Sequence, residues 1–317
     1  SEGTPMTLIM SLVGMVTLVA IALIFSYDRK SIRLRTVLGA FAIQAGIGAF
    51  VLYVPFGQAV LQAISAGVSQ VLVYANDGIG FLFGGLADVE NVGFVFAIKV
   101  LPVIIFFSSL IAVLYYLGIM QWVIRILGGA LQKALGTSRT ESLSATANIF
   151  VGQTEAPLVV RPFIARMTPS QLFAVMCGGL ASVAGSVLAG YAALGIPMEY
   201  LVAASFMAAP GGLLFAKLIM PETQDAEDSD SVSKVDEELK EQDDKPTNVL
   251  DAAASGATSG LMLAANVGAM LLAFIGLIAL INGILGGVGG WFGFESLSLE
   301  LILGWLFAPL AFLLGVP

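Results

Sequence analysis

Between Asn148 and Arg161 the chain carries Gln153, Thr154 and Glu155 between Gly152 and Pro157, in the middle of a sequence whose other long runs are apolar. Glycine and proline both resist a continuous helix, so the polar cluster coincides with a break. Apolar runs of about 20 residues, the length that crosses a bilayer core, lie on both sides of it. A helix broken at membrane depth exposes N–H and C=O groups that lipid cannot satisfy. Such a break survives only where it lines a cavity or is packed in protein. Ionisable residues at that depth mark a functional site by default.

Composition supports the membrane setting. Of 317 residues 58% are hydrophobic and 11% are charged, against about 25% charged in soluble domains. The mean hydropathy is +0.94. Ten-residue alternating segments, the mark of a β-barrel, are not visible. The expected class is an all-α polytopic membrane protein. The net charge of −8 belongs to one loop: residues 222–245 hold eleven acidic and three basic residues, and the remainder sums to zero. There is no histidine, which removes His-based catalysis and metal ligation. The single Cys177 leaves no intrachain disulfide and no Cys-based metal site. No basic residue precedes the first apolar run, which argues against a cleavable signal peptide.

Charge asymmetry gives a topology. A first span over 6–25 is followed by Arg29, Lys30, Arg33 and Arg35, which places that loop inside and the N-terminus outside. A second span covers 37–54. In residues 56–93 Val60, Leu61, Ile64, Val68, Val71 and Leu72 recur at helical spacing, giving an amphipathic helix that either lies at the interface or packs on the protein. A third span covers 94–117. Trp122, Ile126 and Leu131 suggest a further amphipathic stretch. Segment 142–167 has cations at both ends and reads as a re-entrant hairpin with its tip near Gly152–Glu155. Spans four to six are expected at 172–194, 200–220 and 259–281, with a break at Pro210-Gly-Gly212 and Lys217 at the inner end of the fifth. The last apolar run, 301–317, is short for a span, and the sequence reads as cut off inside an element. Glu141-Ser-Leu-Ser144 before Ala156-Pro157-Leu158 is echoed by Glu295-Ser-Leu-Ser298 before Ala308-Pro309-Leu310. That faint echo suggests the inverted repeats of secondary transporters, the second incomplete here.

Glu155 at membrane depth must be neutral, paired or facing water. One reading pairs it with Arg161. The other is a ligand site, in which Gln153, Thr154 and Glu155 offer donors and acceptors to an uncharged polar ligand such as a nucleobase edge or a sugar. Freed backbone carbonyls with Asn148 suit a hard cation such as Na⁺. Ser182 and Ser186 are further candidates, though a serine in such a helix often bonds its own backbone. A membrane enzyme needs a nucleophile–base pair or a carboxylate-bound metal, and a channel needs a ring of selectivity groups. With no histidine and one intramembrane carboxylate in the motif, no enzyme is expected; flux that does not saturate with substrate would favour the channel.

The stretch Asn148-Ile-Phe-Val-Gly-Gln-Thr-Glu-Ala-Pro-Leu158 resembles the signature of the concentrative nucleoside transporter family, Vibrio-type bacterial members in particular. The agreement extends through Cys177-Gly-Gly-Leu-Ala-Ser-Val-Ala-Gly185 and Ala203-Ala-Ser-Phe-Met-Ala-Ala-Pro-Gly-Gly212. The resemblance implies a Na⁺-coupled nucleoside symporter of the bacterial inner membrane, with eight spans, two re-entrant hairpins and a homotrimeric assembly. Uridine is a representative substrate, and neither a nucleic-acid partner nor a cofactor beyond the coupling ion is expected. It implies that Gly152, Gln153, Thr154, Glu155 and Val187 meet the nucleoside. It implies that Asn148 by its side chain, Val151 by its carbonyl, and Ser182 and Val183 hold Na⁺. The family's second hairpin, with its Asn-Glu-Phe motif, and the Asn and Ser of the next helix hold the ribose; they are not found in these 317 residues. A proton-coupled transporter, or a fragment that does not transport, is the alternative. The expected division is 1–141 as scaffold-like spans and interfacial helices, 142–220 as hairpin and transport core, 221–248 as an acidic cytoplasmic linker, and 249–317 as a further span and the start of a second hairpin.

Overall fold

The structure is a computed structural model describing residues 5–150, 156–157, 160, 164, 167–183, 185–223 and 246–314, and among these every regular element is helical. In chain order they are α1 Pro5–Ile24, α2 Leu34–Tyr53, α3 Pro55–Phe83, α4 Val89–Val92, α5 Phe96–Lys99, α6 Leu101–Tyr116, α7 Ile119–Leu135 and α8 Arg139–Ala147. Then follow α9 Pro169–Ala181, α10 Gly185–Ala193, α11 Met198–Ile219, α12 Val249–Trp291 and α13 Leu299–Leu313. Among the described residues, five helices or helical runs are long and apolar enough to cross a membrane: 34–53, 55–92, 96–116, 198–219 and 249–291. The chain forms two compact units, one of residues 26–265 and one of 1–25 with 266–317.

In the larger unit local chemistry sets the boundaries. Val54 is extended (φ −89°, ψ 123°) because it precedes Pro55, which disfavours the helical region. Pro55 then opens α3 at the position where its missing N–H costs nothing. Helix α3 is amphipathic as expected, and its inner stripe packs on the protein: Leu61, Val68 and Leu72 meet Leu188, Met198 and Val202, and Ala75 and Ile79 meet Val103 and Ala189. Helix α7 is the further amphipathic stretch expected at Trp122, Ile126 and Leu131. Its buried stripe is Met120, Ile124, Gly128, Leu131 and Leu135, whereas Trp122 and Ile126 are exposed on the opposite side.

Helix α11 corrects an expectation, because it runs unbroken through Pro210. The Pro-Gly-Gly segment serves close packing instead. A Cβ on Gly211 would lie 2.6 Å from Gln44 Nε2, and that amide donates to Met207 O at 3.4 Å. Gly256 and Gly260 of α12 bring it against α6 in the same way: a Cβ would lie 2.5 Å from Ala112 Cβ and 2.7 Å from Ser108 Cβ respectively.

In the smaller unit, Asn282 accepts the Leu299 N–H (2.7 Å) and donates to both oxygens of Glu300 (3.1 and 2.9 Å), tying α12 to the start of α13. Helix α12 spans 43 residues, well beyond the expected 259–281, and holds no proline. The two Glu-Ser-Leu-Ser quartets sit differently: the first lies inside α8, and the second precedes α13, whose N-cap is Ser298.

Candidate functional site

Helix α8 is nine residues, Arg-Thr-Glu-Ser-Leu-Ser-Ala-Thr-Ala, and every one is buried. So polar a helix is stable inside the protein only if its polar groups are partnered. Its start is a capping box: Ser138 Oγ accepts the Glu141 N–H, and Glu141 Oε1 accepts the Ser138 N–H at 2.9 Å. One face of α8 meets α7, where a Cβ on Gly128 would lie 3.0 Å from Leu143 and one on Gly129 would lie 3.0 Å from Arg139.

The opposite face meets α9 and α11. Lys217 Nζ, buried within α11, lies 2.7 Å from Glu141 Oε2 and donates to Ser170 Oγ at 2.8 Å. Ser170 in turn donates to Met220 O at 2.7 Å. Thr168 caps α9 through a second box with Gln171 and donates to Glu222 at 2.6 Å. Sequence alone marks Lys217 as a span-end cation and Glu155 as the one intramembrane carboxylate of its motif. Glu141 is buried beside Lys217, and a buried lysine requires such a partner. Ser138-x-x-Glu141 and Thr168-x-x-Gln171 are capping signatures visible in the sequence, and they could have located both helix starts.

At its far end α8 stops at Asn148. The Asn148 Nδ2 donates to Ser144 O at 3.1 Å. Its Oδ1 is buried and has no hydrogen-bond partner among the described residues. Asn148 abuts Gly178 of α9, where a Cβ would lie 3.1 Å from Nδ2. The expected fourth span is not one helix. Helix α9 ends at Ala181, Ser182 is extended (φ −117°, ψ 164°), and α10 starts at Gly185. Ser182 Oγ donates back to Gly178 O at 2.7 Å, and the Gly185 N–H donates to Phe150 O at 3.1 Å. Thus the end of α8 and the break between α9 and α10 lie against each other. No proline marks this break.

The structure therefore brings Asn148, Ser182 and Val183 into one joint. Val187 follows, half-buried, in the first turn of α10. Val151, Gly152, Gln153, Thr154, Glu155 and Arg161, and the side chain of Ser186, lie outside the described residues. Beyond the tip, Ala156 and Val160 are buried with Leu143, Ala147, Met120 and Ile124, so the chain has doubled back onto α8 and α7, as a re-entrant hairpin requires. No cluster of three or more His, Cys, Asp or Glu exists among the described residues; the joint offers neutral oxygens. A Cβ on Gly185 would stand 2.6 Å from Phe150 O, which is backbone and cannot yield. Gly185→Ala is therefore expected to reduce nucleoside uptake at least about tenfold while Gly211→Ala, which meets only the movable Gln44 amide, is nearly silent. Uptake by both variants at matched expression checks this.

Three family models tile the chain: Na⁺ dependent nucleoside transporter N-terminus over residues 13–86, nucleoside recognition over 97–198, and Na⁺ dependent nucleoside transporter C-terminus over 200–317. A transporter of Haemophilus influenzae is 62% identical over 317 residues, covering 98% of this chain and 73% of the relative. The nucleoside permease NupC of Helicobacter pylori is 55% identical, covering 97% of this chain and 72% of its own length. The chain belongs to the concentrative nucleoside transporter family. A solved family structure, CNTnw in an inward-facing substrate-bound state, superimposes with a TM-score of 0.90 at 61% identity, over 98% of this chain and 73% of that one. As a family member the chain is a multi-pass membrane transporter of nucleosides and not an enzyme. The joint at Asn148 and Ser182 lies inside the nucleoside recognition match.

Proposed function

We propose that this transporter couples nucleoside uptake to Na⁺, and that the ion is held where α8 ends against the break between α9 and α10. The observation that carries this reading is Asn148 Oδ1, a buried acceptor with no partner among the described residues. Such an acceptor costs about 1–3 kcal/mol if left unmet. Na⁺ is a hard cation that takes neutral oxygens from side chains and carbonyls. Asn148 Oδ1, Ser182 Oγ and the carbonyls of Val151 and Val183 are a fitting set. Ser182 spends its hydrogen on Gly178 O and so presents lone pairs, as a cation ligand must.

Gly152, Gln153, Thr154, Glu155 and Val187 bind the nucleoside, uridine being the test substrate. Ion and nucleoside then share one hairpin tip. Na⁺ raises nucleoside affinity, and by linkage nucleoside raises Na⁺ affinity by the same factor. The protein works as a homotrimer in the bacterial inner membrane, with its N-terminus outside and the acidic segment 221–248 in the cytoplasm. Residues 1–141 are the scaffold, 142–220 the moving core, and 249–317 a further span with the start of the second hairpin.

The test is uridine uptake into proteoliposomes. An inward Na⁺ gradient is expected to stimulate uptake at least about tenfold over choline at equal pH. Uptake that ignores Na⁺ and follows a pH gradient would replace Na⁺ by H⁺ as the coupling ion.

A further inference from the structure

The face of α8 turned towards α9 and α11 carries more than the ion joint. Glu141, Ser144 and Asn148 follow one another at i, i+3 and i+7, so they share one helical stripe. Its two ends are placed by contact: Glu141 meets Lys217 of α11, and Asn148 meets Gly178 of α9. Ser144, between them, is wholly buried, and its Oγ has no partner among the described residues. That is unusual for a helical serine, and its neighbours show the contrast. Ser142 Oγ donates to Ser138 O at 2.7 Å and Thr146 Oγ1 to Ser142 O at 2.9 Å. Both take the back-bond that Ser144 leaves unused. Across the seam α9 presents Ser170, Ala174 and Gly178, four residues apart and all buried. Ser170 belongs to the ion pair at one end, Gly178 to the joint at the other, and Ala174 lies between them on the same helix. The two unpaired buried oxygens of this seam, Ser144 Oγ and Asn148 Oδ1, are acceptors that a ligand can complete.

We propose that this seam is the route by which the coupling ion passes between Asn148 and the Glu141–Lys217 end of α8. Ser144 Oγ is the intermediate ligand, and the ion pair closes the mouth. The inference rests on the Na⁺ reading above. From Asn148 to Glu141 is seven residues, about 10 Å at 1.5 Å per residue, with an oxygen at each turn. At the mouth Na⁺ exchanges for the Lys217 ammonium on Glu141, one cation for another on the same carboxylate. The site and the route make different demands on a variant. A residue of the site alters Na⁺ affinity, whereas a residue of the route alters the exchange rate and leaves equilibrium affinity alone.

The experiment uses the full-length transporter in liposomes and measures two quantities: the Na⁺ concentration that half-saturates stimulation of uridine binding, and the rate of radioactive Na⁺ exchange at saturating uridine. Ser144→Val fills the seam and is expected to slow exchange at least about tenfold with half-saturation changed less than about twofold. Ser144→Ala, which removes the oxygen without filling the space, is expected to slow exchange about threefold. An unchanged exchange rate in both variants overturns the route. So does a half-saturation that rises in step with the slowing, since Ser144 would then belong to the site. If Ser144→Val does not fold, Ser144→Cys in a Cys177→Ala background supplies the answer. A small cationic methanethiosulfonate is expected to modify the introduced thiol from the Lys217 side, with Na⁺ slowing the modification at least about fivefold. No modification, or no protection, overturns the proposal. Wild-type protein that shows no Na⁺ stimulation at all refutes the ion reading itself, a result separable from either variant.

Discussion

Asn148→Ala is expected to raise the Na⁺ concentration that half-saturates uridine uptake by at least about tenfold, which corresponds to about 1.4 kcal/mol of lost ion binding. The change removes the buried Oδ1 that has no partner among the described residues and also the Nδ2 bond to Ser144 O. The second loss alone weakens the end of α8, so a folding effect must be separated from an ion effect. Asn148→Asp separates them. It keeps an oxygen where the ion needs one and adds a negative charge, so Na⁺ stimulation is expected to survive. A lost hydrogen bond predicts that Ala and Asp fail alike, because neither donates to Ser144 O. Without Na⁺, uridine affinity is expected to agree between wild type and Asn148→Ala, since the ion supplies the difference. Equal Na⁺ half-saturation in wild type and Asn148→Ala would remove Asn148 from the ion site.

The second large effect concerns the pair Lys217–Glu141. Lys217→Met is expected to destabilise the protein by about 3–5 kcal/mol, the usual result of stranding one member of a buried ion pair. It leaves Glu141 charged, 3% exposed, with only the Ser138 N–H described as a donor to its Oε1. Glu141→Gln strands Lys217 in the same way. The double variant Glu141→Gln with Lys217→Met removes both charges, and glutamine still serves a capping box at that position, so most of the stability is expected to return. The reversed pair, Glu141→Lys with Lys217→Glu, is expected not to recover, because a cation in the first turn of α8 opposes the helix dipole and abandons the Ser138 N–H. The temperature at which half of the detergent-solubilised protein remains monodisperse reads all four. A double variant no more stable than the worse single would show that the pair is not energetically coupled.

The legibility of this chain in its sequence was uneven, and particular residues show why. Polar cluster and hairpin were visible at 142–167 because Gly152 and Pro157 are local signals for a break and cations flank both ends. Amphipathic α3 was visible because periodicity is a local property, but its partner was not: whether Leu61 and Leu72 face lipid or Leu188 and Val202 depends on residues more than about a hundred positions away. The buried face of α7 was not legible for the same reason, since Trp122 and Ile126 are as apolar as Met120 and Ile124. The break after Ala181 and the continuity through Pro210 were both read the wrong way. Proline suggested a break where α11 continues, with Gly211 packed against Gln44 and Gly212 against Gly178. At Ser182 no residue forbids a helix, yet Phe150 O takes the Gly185 N–H.

What the residues alone determined is the membrane setting, the helical class, the re-entrant hairpin and the family, because apolar run length, charge placement and a contiguous motif are all written along the chain. What only the folded chain decided is which buried polar atoms meet. Glu141 and Lys217 are 76 positions apart, and Phe150 and Gly185, joined by a backbone hydrogen bond, are 35 apart, so neither pair leaves a mark in local spacing. Burial makes each such meeting worth kilocalories, and only packing chooses the partners.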